Sequence, residues 1–279
     1  MAVRALTALA LAAGLALPAQ AEPRRIVSVN PCLDAILVAV ADRGQVAAVD
    51  HYSHEPENSS LDADGRRLPF TYGTAEEIVA LRPDLVLAPR IYPPSTLRAI
   101  AALGIRVELF DLPESVQASL AQVDRIAAIT GHPDRGRRLR AEIEAALAAA
   151  APRPGQPRLG ALTFHGGGVA SAQGTLMDEL LRRAGFVNQA TRYGLRQTGY
   201  VPLERLVADP PEVLLAAPPE PGRPDWADRV VNHPALRSIG SRMIREPFPT
   251  RLTHCGGPVI IEAAAALAQA RDDALERRR

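Results

Sequence analysis

The sequence predicts an α/β protein made of two similar lobes joined by one long helix. Three observations carry that expectation. Short apolar runs alternate with helical stretches along most of the 279 residues, as they do where parallel strands are covered by helices. The alternation breaks at a Pro-rich stretch, 151–158, and restarts after it. Residues 76–88 also recur as 204–216, 128 positions on: a Glu (Glu76, Glu204), a Pro seven residues later (Pro83, Pro211), an acid (Asp84, Glu212), then four apolar residues. Each copy reads as a helix stopped by proline that feeds a strand buried on both faces.

In chain order, residues 1–21 carry one charge, Arg4, then an apolar run over 5–17, then Pro18-Ala19-Gln20-Ala21. That is the pattern of a secretory signal peptide cleaved after Ala21. Thirteen apolar residues are too few to cross about 30 Å of hydrocarbon, and no cysteine stands at the cleavage site to carry a lipid. The mature chain is expected from Glu22, in the periplasm, as a soluble monomer. Strands are predicted over 25–29, 45–49, 85–89 and 105–110, and helices over 33–40, 75–81 and 95–103. Two more helices follow, 115–130 and 133–150, the second opened by a proline suited to the first turn; at 1.5 Å per residue it spans about 27 Å. The second half repeats the scheme with strands over 159–164 and 212–216 and helices over 176–184 and 203–208. A last apolar helix covers 259–270, and the Arg-rich tail after it is expected to fray into solvent.

Composition narrows the function. All 32 basic residues are Arg and the formal charge is +1, which leaves no electrostatic footprint for nucleic acid or anionic lipid and no lysine chemistry. Aromatics at 4% argue against a broad stacking platform, and count against a flat haem or corrin site as well. His165-Gly166-Gly167-Gly168 matches the oxyanion loop of some esterases, but the chain has no Gly-x-Ser-x-Gly elbow. It also lacks a dinucleotide fingerprint, a Walker loop and a His-Glu-x-x-His helix. No catalysis and no cofactor are expected, and a secreted hydrolase is the most distant alternative.

Four segments in order, 73–87 (Gly-Thr-Ala-Glu-Glu-Ile-Val-Ala-Leu-Arg-Pro-Asp-Leu-Val-Leu), Leu103-Gly104-Ile105-Arg106-Val107, 175–185 (Thr-Leu-Met-Asp-Glu-Leu-Leu-Arg-Arg-Ala-Gly) and Gly257-Pro258, give the chain a family likeness. It resembles the periplasmic substrate-binding proteins of ABC importers for iron chelates, haem and vitamin B12, whose lobes are joined by one helix. The resemblance implies two Rossmann-like three-layer αβα lobes with a ligand cleft between them. It divides the chain into a signal peptide (1–21), an N-terminal lobe (22–132), an inter-lobe helix (133–151) and a C-terminal lobe (152–279). It implies a ligand that is a ferric siderophore, cobalamin or haem, and delivery to a permease dimer in the inner membrane. Glu76 and Glu204 fall where the family carries one permease-docking acid per lobe. The bland reading, acids favoured at helix starts by the dipole, stays open, and Glu77 is a neighbouring alternative.

Open parallel sheets bind ligands beyond the carboxyl ends of their strands, so the loops there supply the cleft candidates. They are Asn30, Cys32, His51, Tyr52, His54, Tyr72, Arg90 and Tyr92 in the first half, and His165, Tyr193, Arg196, Trp226, His254 and Cys255 in the second. Arg offers a fixed fork to carboxylates and aromatic rings stack on flat ligands. His51, His54, His165 and His254 with the two cysteines could instead hold a free transition-metal ion; ordinary exposed or hydrogen-bonded histidines are the competing reading. An oxidising compartment favours a Cys32–Cys255 disulfide between the lobes; free thiols are the alternative.

Overall fold

The computed structural model describes residues 22–165, 167–217, 233–240 and 242–278. The expected signal peptide and Trp226 lie outside them. The first sheet is built from β1 (Ile26–Ser28), β2 (Val46–Asp50), β3 (Phe70–Thr71), β4 (Leu85–Pro89) and β5 (Arg106–Phe110), all parallel, in the order β3-β2-β1-β4-β5. Helices α1 (Pro31–Val40), α2 (Ala75–Ala80), α3 (Pro94–Ala102) and α4 (Val116–Ile129) connect and cover it. Then α5 (Pro133–Ala149) leads to the second half.

There β6 (Leu159–Phe164), β8 (Phe186–Asn188), β10 (Val213–Ala216) and β11 (Ile244–Pro247) form a second parallel sheet, in the order β11-β10-β6-β8. The short β7 (Val169–Ala170) and β9 (Gly199–Tyr200) pair as an antiparallel ribbon. The helices of this half are α6 (Leu176–Arg183), α7 (Leu203–Ala208), α8 (Pro234–Ser238) and α9 (Val259–Arg277).

The internal repeat is structural. α2 feeds β4, which lies between β1 and β5; α7 feeds β10, which lies between β6 and β11. Both strands are buried end to end, which is why their sequences are continuous apolar runs without alternation. Pro83 and Pro211 stand at equivalent joints. Sequence patterning misses the ribbon strands β7 and β9 and three strands of the two parallel sheets, β3, β8 and β11, which are two to four residues long. All three are edge strands, and β11 reads Ile-Arg-Glu-Pro, with no apolar run to announce it.

The joining helix α5 is packed along its length: Leu139, Ile143 and Leu147 are buried in one core that also takes in α1, α4, α6 and α9. One expectation needs correction: the Arg-rich tail does not fray at 270, because α9 runs on to Arg277. Its guanidinium groups find partners on the second sheet: Arg277 pairs with Glu246 at 3.2 Å and Arg278 with Glu212 at 2.6 Å. Arg271, 4% exposed, donates to the carbonyls of Ala150 (2.7 Å) and Ala184 (2.9 Å).

After β11 the chain turns at Thr250–Leu252 and returns to the first lobe before α9 begins. Gly257 donates its N–H to Ser119 Oγ on α4 (2.7 Å). A Cβ on Gly256 would collide with Ser119 and one on Gly257 with Ile36, so the segment needs both glycines to seat this closely. Cys255 is disulfide-bonded to Cys32 on α1, across 223 positions of sequence.

Candidate ligand cleft

The carboxyl ends of the two sheets and the return segment enclose a cavity of about 620 Å³. On the first-lobe side α1 opens with Asn30, whose side chain accepts from the N–H groups of Cys32 (3.0 Å) and Leu33 (3.3 Å), and with Pro31 in the first turn. That cap brings Asn30, Pro31 and Cys32 to the cavity wall, beside Tyr52 and the Leu112-Pro113-Glu114 loop after β5. The second-lobe wall is His165 at the end of β6, then Val169, Ser171 and the start of α6 at Thr175, Leu176 and Met177. The return segment adds Thr253, His254 and Cys255.

His165 is 5% exposed. Its backbone exchanges hydrogen bonds with Val169 (3.0 and 2.7 Å) around a tight turn in which Gly167 and Gly168 take positive φ. The glycine-rich loop thus turns the chain sharply and leaves the imidazole in the cavity. His254 meets it edge-to-face, ring centroids 4.8 Å apart. Among the described residues neither ring makes a hydrogen bond. Burial, and then the neighbouring His254, push the His165 pKa down to about 3; burial lowers that of His254 as well. Both imidazoles are therefore neutral at neutral pH, the form that ligates metals. The disulfide takes both cysteines out of any thiolate role.

The low aromatic count is misleading about the first-lobe wall. His54, Phe70, Tyr72, His51 and Tyr52 form a continuous chain of ring contacts, with successive centroids 4.8, 5.6, 4.8 and 4.0 Å apart. Phe70, Tyr72 and Tyr52 are each close to half exposed or more. Five rings from two short segments make a local stacking strip that a composition average cannot register.

The structure brings Asn30, Cys32, Tyr52, His165, His254 and Cys255 together in the cavity. His51 and Tyr72 continue the strip beyond it, and His54 donates Nε2–H to Leu68 O (3.0 Å). Arg90 is exposed and forks onto Asp111 (2.7 and 3.3 Å). Tyr92 donates to Gly73 O (2.6 Å), while Tyr193 is buried and donates to Asp209 O (2.7 Å). Arg196 is exposed away from the cavity wall. Sequence reasoning missed Ser171, Thr175 and Met177. The available signal was Thr175 as an N-cap, since helix starts above strand ends face the cleft in both lobes.

Glu76 and Glu204 are exposed in the first turns of α2 and α7, with no partner among the described residues. Glu77 is spent internally, accepting from Thr71 Oγ1 and Tyr72 N (both 2.7 Å), bonds that hold its carboxyl below the usual range.

The family of periplasmic binding proteins matches over residues 26–240. The chain belongs to that family. This periplasmic binding protein is 27% identical over 183 residues to a "Cobalamin-binding protein" of Halobacterium salinarum, covering 64% of the chain and 49% of the relative; it thus spans about half the length of the curated relatives it matches. Among solved structures it resembles the apo form of the periplasmic heme-binding protein RhuT from Roseiflexus sp. RS-1 (TM-score 0.70, 26% identity, covering 89% of this chain and 99% of that one). It is equally close to a periplasmic heme-binding protein from Pseudomonas aeruginosa (TM-score 0.69, 26% identity, covering 89% and 92%). These relatives are named for the ligands they bind, and the family the chain belongs to is one of ligand-binding proteins.

Proposed function

We propose that the chain is the substrate-binding component of an ABC importer, exported to the periplasm, that captures a flat metal macrocycle, a corrinoid or haem, and delivers it to the permease. The observation that carries this reading is the pair of neutral imidazoles, His165 and His254, facing one cavity without hydrogen-bond partners. Two imidazoles can cap a metal that arrives with its own ligands, but they fall short of the usual four for a bare ion. Among the described residues no group of three or more His, Cys, Asp or Glu could hold a metal. With the cysteines bonded to each other, the free-ion alternative keeps only histidines. The aromatic strip supports a flat ligand, because rings stack on rings. The relatives named for cobalamin and heme point the same way.

Titration of residues 22–279 with aquocobalamin, haemin and a ferric hydroxamate, followed by visible absorbance, tests the reading. One of the two macrocycles should bind with the band shift of imidazole ligation, and the His165→Ala/His254→Ala variant should lose that shift. Binding of the hydroxamate alone would refute it. Glu76 and Glu204 support docking, since exposed carboxylates at matching helix starts suit arginines on a twofold partner. Reversing both charges should abolish uptake with ligand affinity intact; a fall in affinity would remove them from the docking role.

A further inference from the structure

Asp34 stands in the first turn of α1, two residues past Cys32, and is wholly buried. An acid there ordinarily serves the helix N-terminus, but Asn30 already caps those amides. The carboxyl of Asp34 turns inward instead, beneath the His51–His54 turn that follows β2. Its Oδ2 accepts from Asp50 N (2.8 Å) and from Ser53 Oγ (2.6 Å). Asp50 in turn accepts from Tyr52 N (2.9 Å) and faces His51 Nδ1 at 3.4 Å. The bonds therefore run from α1 through the end of β2 into the four residues that bring three rings to the strip.

A buried carboxyl is costly unless its oxygens are matched. The remaining oxygen, Oδ1, has no partner, and neither does the hydroxyl of Ser28, which stands beside the carboxyl from β1. A bond between them forms either with the serine hydroxyl donating to an ionised Oδ1 or with a protonated Asp34 donating to Ser28 Oγ. Burial raises the Asp34 pKa to about 8, so the protonated form is in place at neutral pH. The acid then behaves as a neutral clamp with one donor and two accepted bonds, a set that an Asn amide reproduces and an Ala cannot.

We infer that Asp34 is a positioning residue of the cleft: its carboxyl fixes the His51–His54 turn, and with it Tyr52 and the aromatic strip, in the orientation that meets the ligand. The ligand half of this inference rests on the reading given under Proposed function; the clamp itself does not. Hydrogen exchange at the 50–55 amides, measured without ligand, tests the clamp, and the affinity for aquocobalamin and haemin tests its consequence. Asp34→Ala and Ser53→Ala should each speed exchange about tenfold, the loss expected for one buried hydrogen bond, and weaken binding by a similar factor. Asp34→Asn should stay within about twofold of wild type on both counts. Unchanged exchange in Ser53→Ala, or an Asn variant no better than Ala, would overturn the inference, and Ser53→Ala decides it where Asp34→Ala does not fold. A wild-type chain that binds neither macrocycle refutes the ligand half, and exchange alone then judges the clamp.

Discussion

The two walls of the cleft meet one requirement with opposite chemistry. On the first lobe a carboxylic acid, Asp34, lies under an exposed strip of rings; on the second an imidazole, His165, lies at the surface of the cavity itself. Burial keeps each in its uncharged form, raising the acid and lowering the base. The nearest titrating neighbours move with them: Asp50 is raised, chiefly by burial, and His254 is lowered by burial. The difference teaches that titrating groups can stand in a cavity wall, as His165 does, or just beneath one, as Asp34 does, when the fold holds them neutral; the cost then appears as pH dependence.

The largest expected effect comes from separating the walls. Replacing both cysteines by Ser removes a cross-link over 223 positions, which on the chain-entropy account costs about 5 kcal/mol of stability. Denaturant unfolding of the oxidised protein and the double variant measures it, and a loss below about 1 kcal/mol would mean that the return segment is held by its glycine contacts alone.

Next come the two pH limbs. Asp34 has a higher pKa folded than unfolded, so its share of stability is whole below about pH 4 and is lost as the pH rises to about 8. His165 has a lower pKa folded, so its share is whole above about 6.5 and is lost as the pH falls towards 3. Each limb slopes by up to about 1.4 kcal/mol per pH unit. The slopes oppose each other between about pH 4 and 6.5, which predicts a plateau there and a decline from about 6.5 to 8. Asp34→Asn should remove most of that decline, and His165→Gln should leave it and shrink the acid limb, the remainder belonging to His254. Urea midpoints across the range check both; a decline that survives undiminished in Asp34→Asn would assign it to another group.

The smallest effects rank the walls for the ligand. Loss of His165 should weaken macrocycle binding about 10- to 100-fold, as loss of a metal partner does. Loss of the Tyr52 ring should cost about threefold to tenfold, the scale of one stacking pair. The reverse order in equilibrium titrations would mean that the rings, rather than the imidazole, hold the ligand.

Much of this was legible in the sequence. The repeat around Pro83 and Pro211 gave away the matching inner strands because full burial leaves an unbroken apolar signature. The loops after the strands yielded His165, His254 and both cysteines for the same topological reason. Asp34 was hidden, since a first-turn acid looks like a dipole partner until its direction is known. The aromatic strip was hidden because its rings come from 51–54 and 70–72, which only the pairing of β2 with β3 brings together. The anchored tail was missed because its partners, Glu212 and Glu246, belong to strand ends remote in sequence.

The return segment bears on how the lobes can move. The chain passes between them twice, once along α5 and once through the seat of Cys255, Gly256 and Gly257 on α1 and α4. A body tethered at one point can tip in any direction, but one tethered at two swings only about the line through both. Any hinge motion of the lobes would thus be confined to a rotation about that line, with the two walls parting along a single arc.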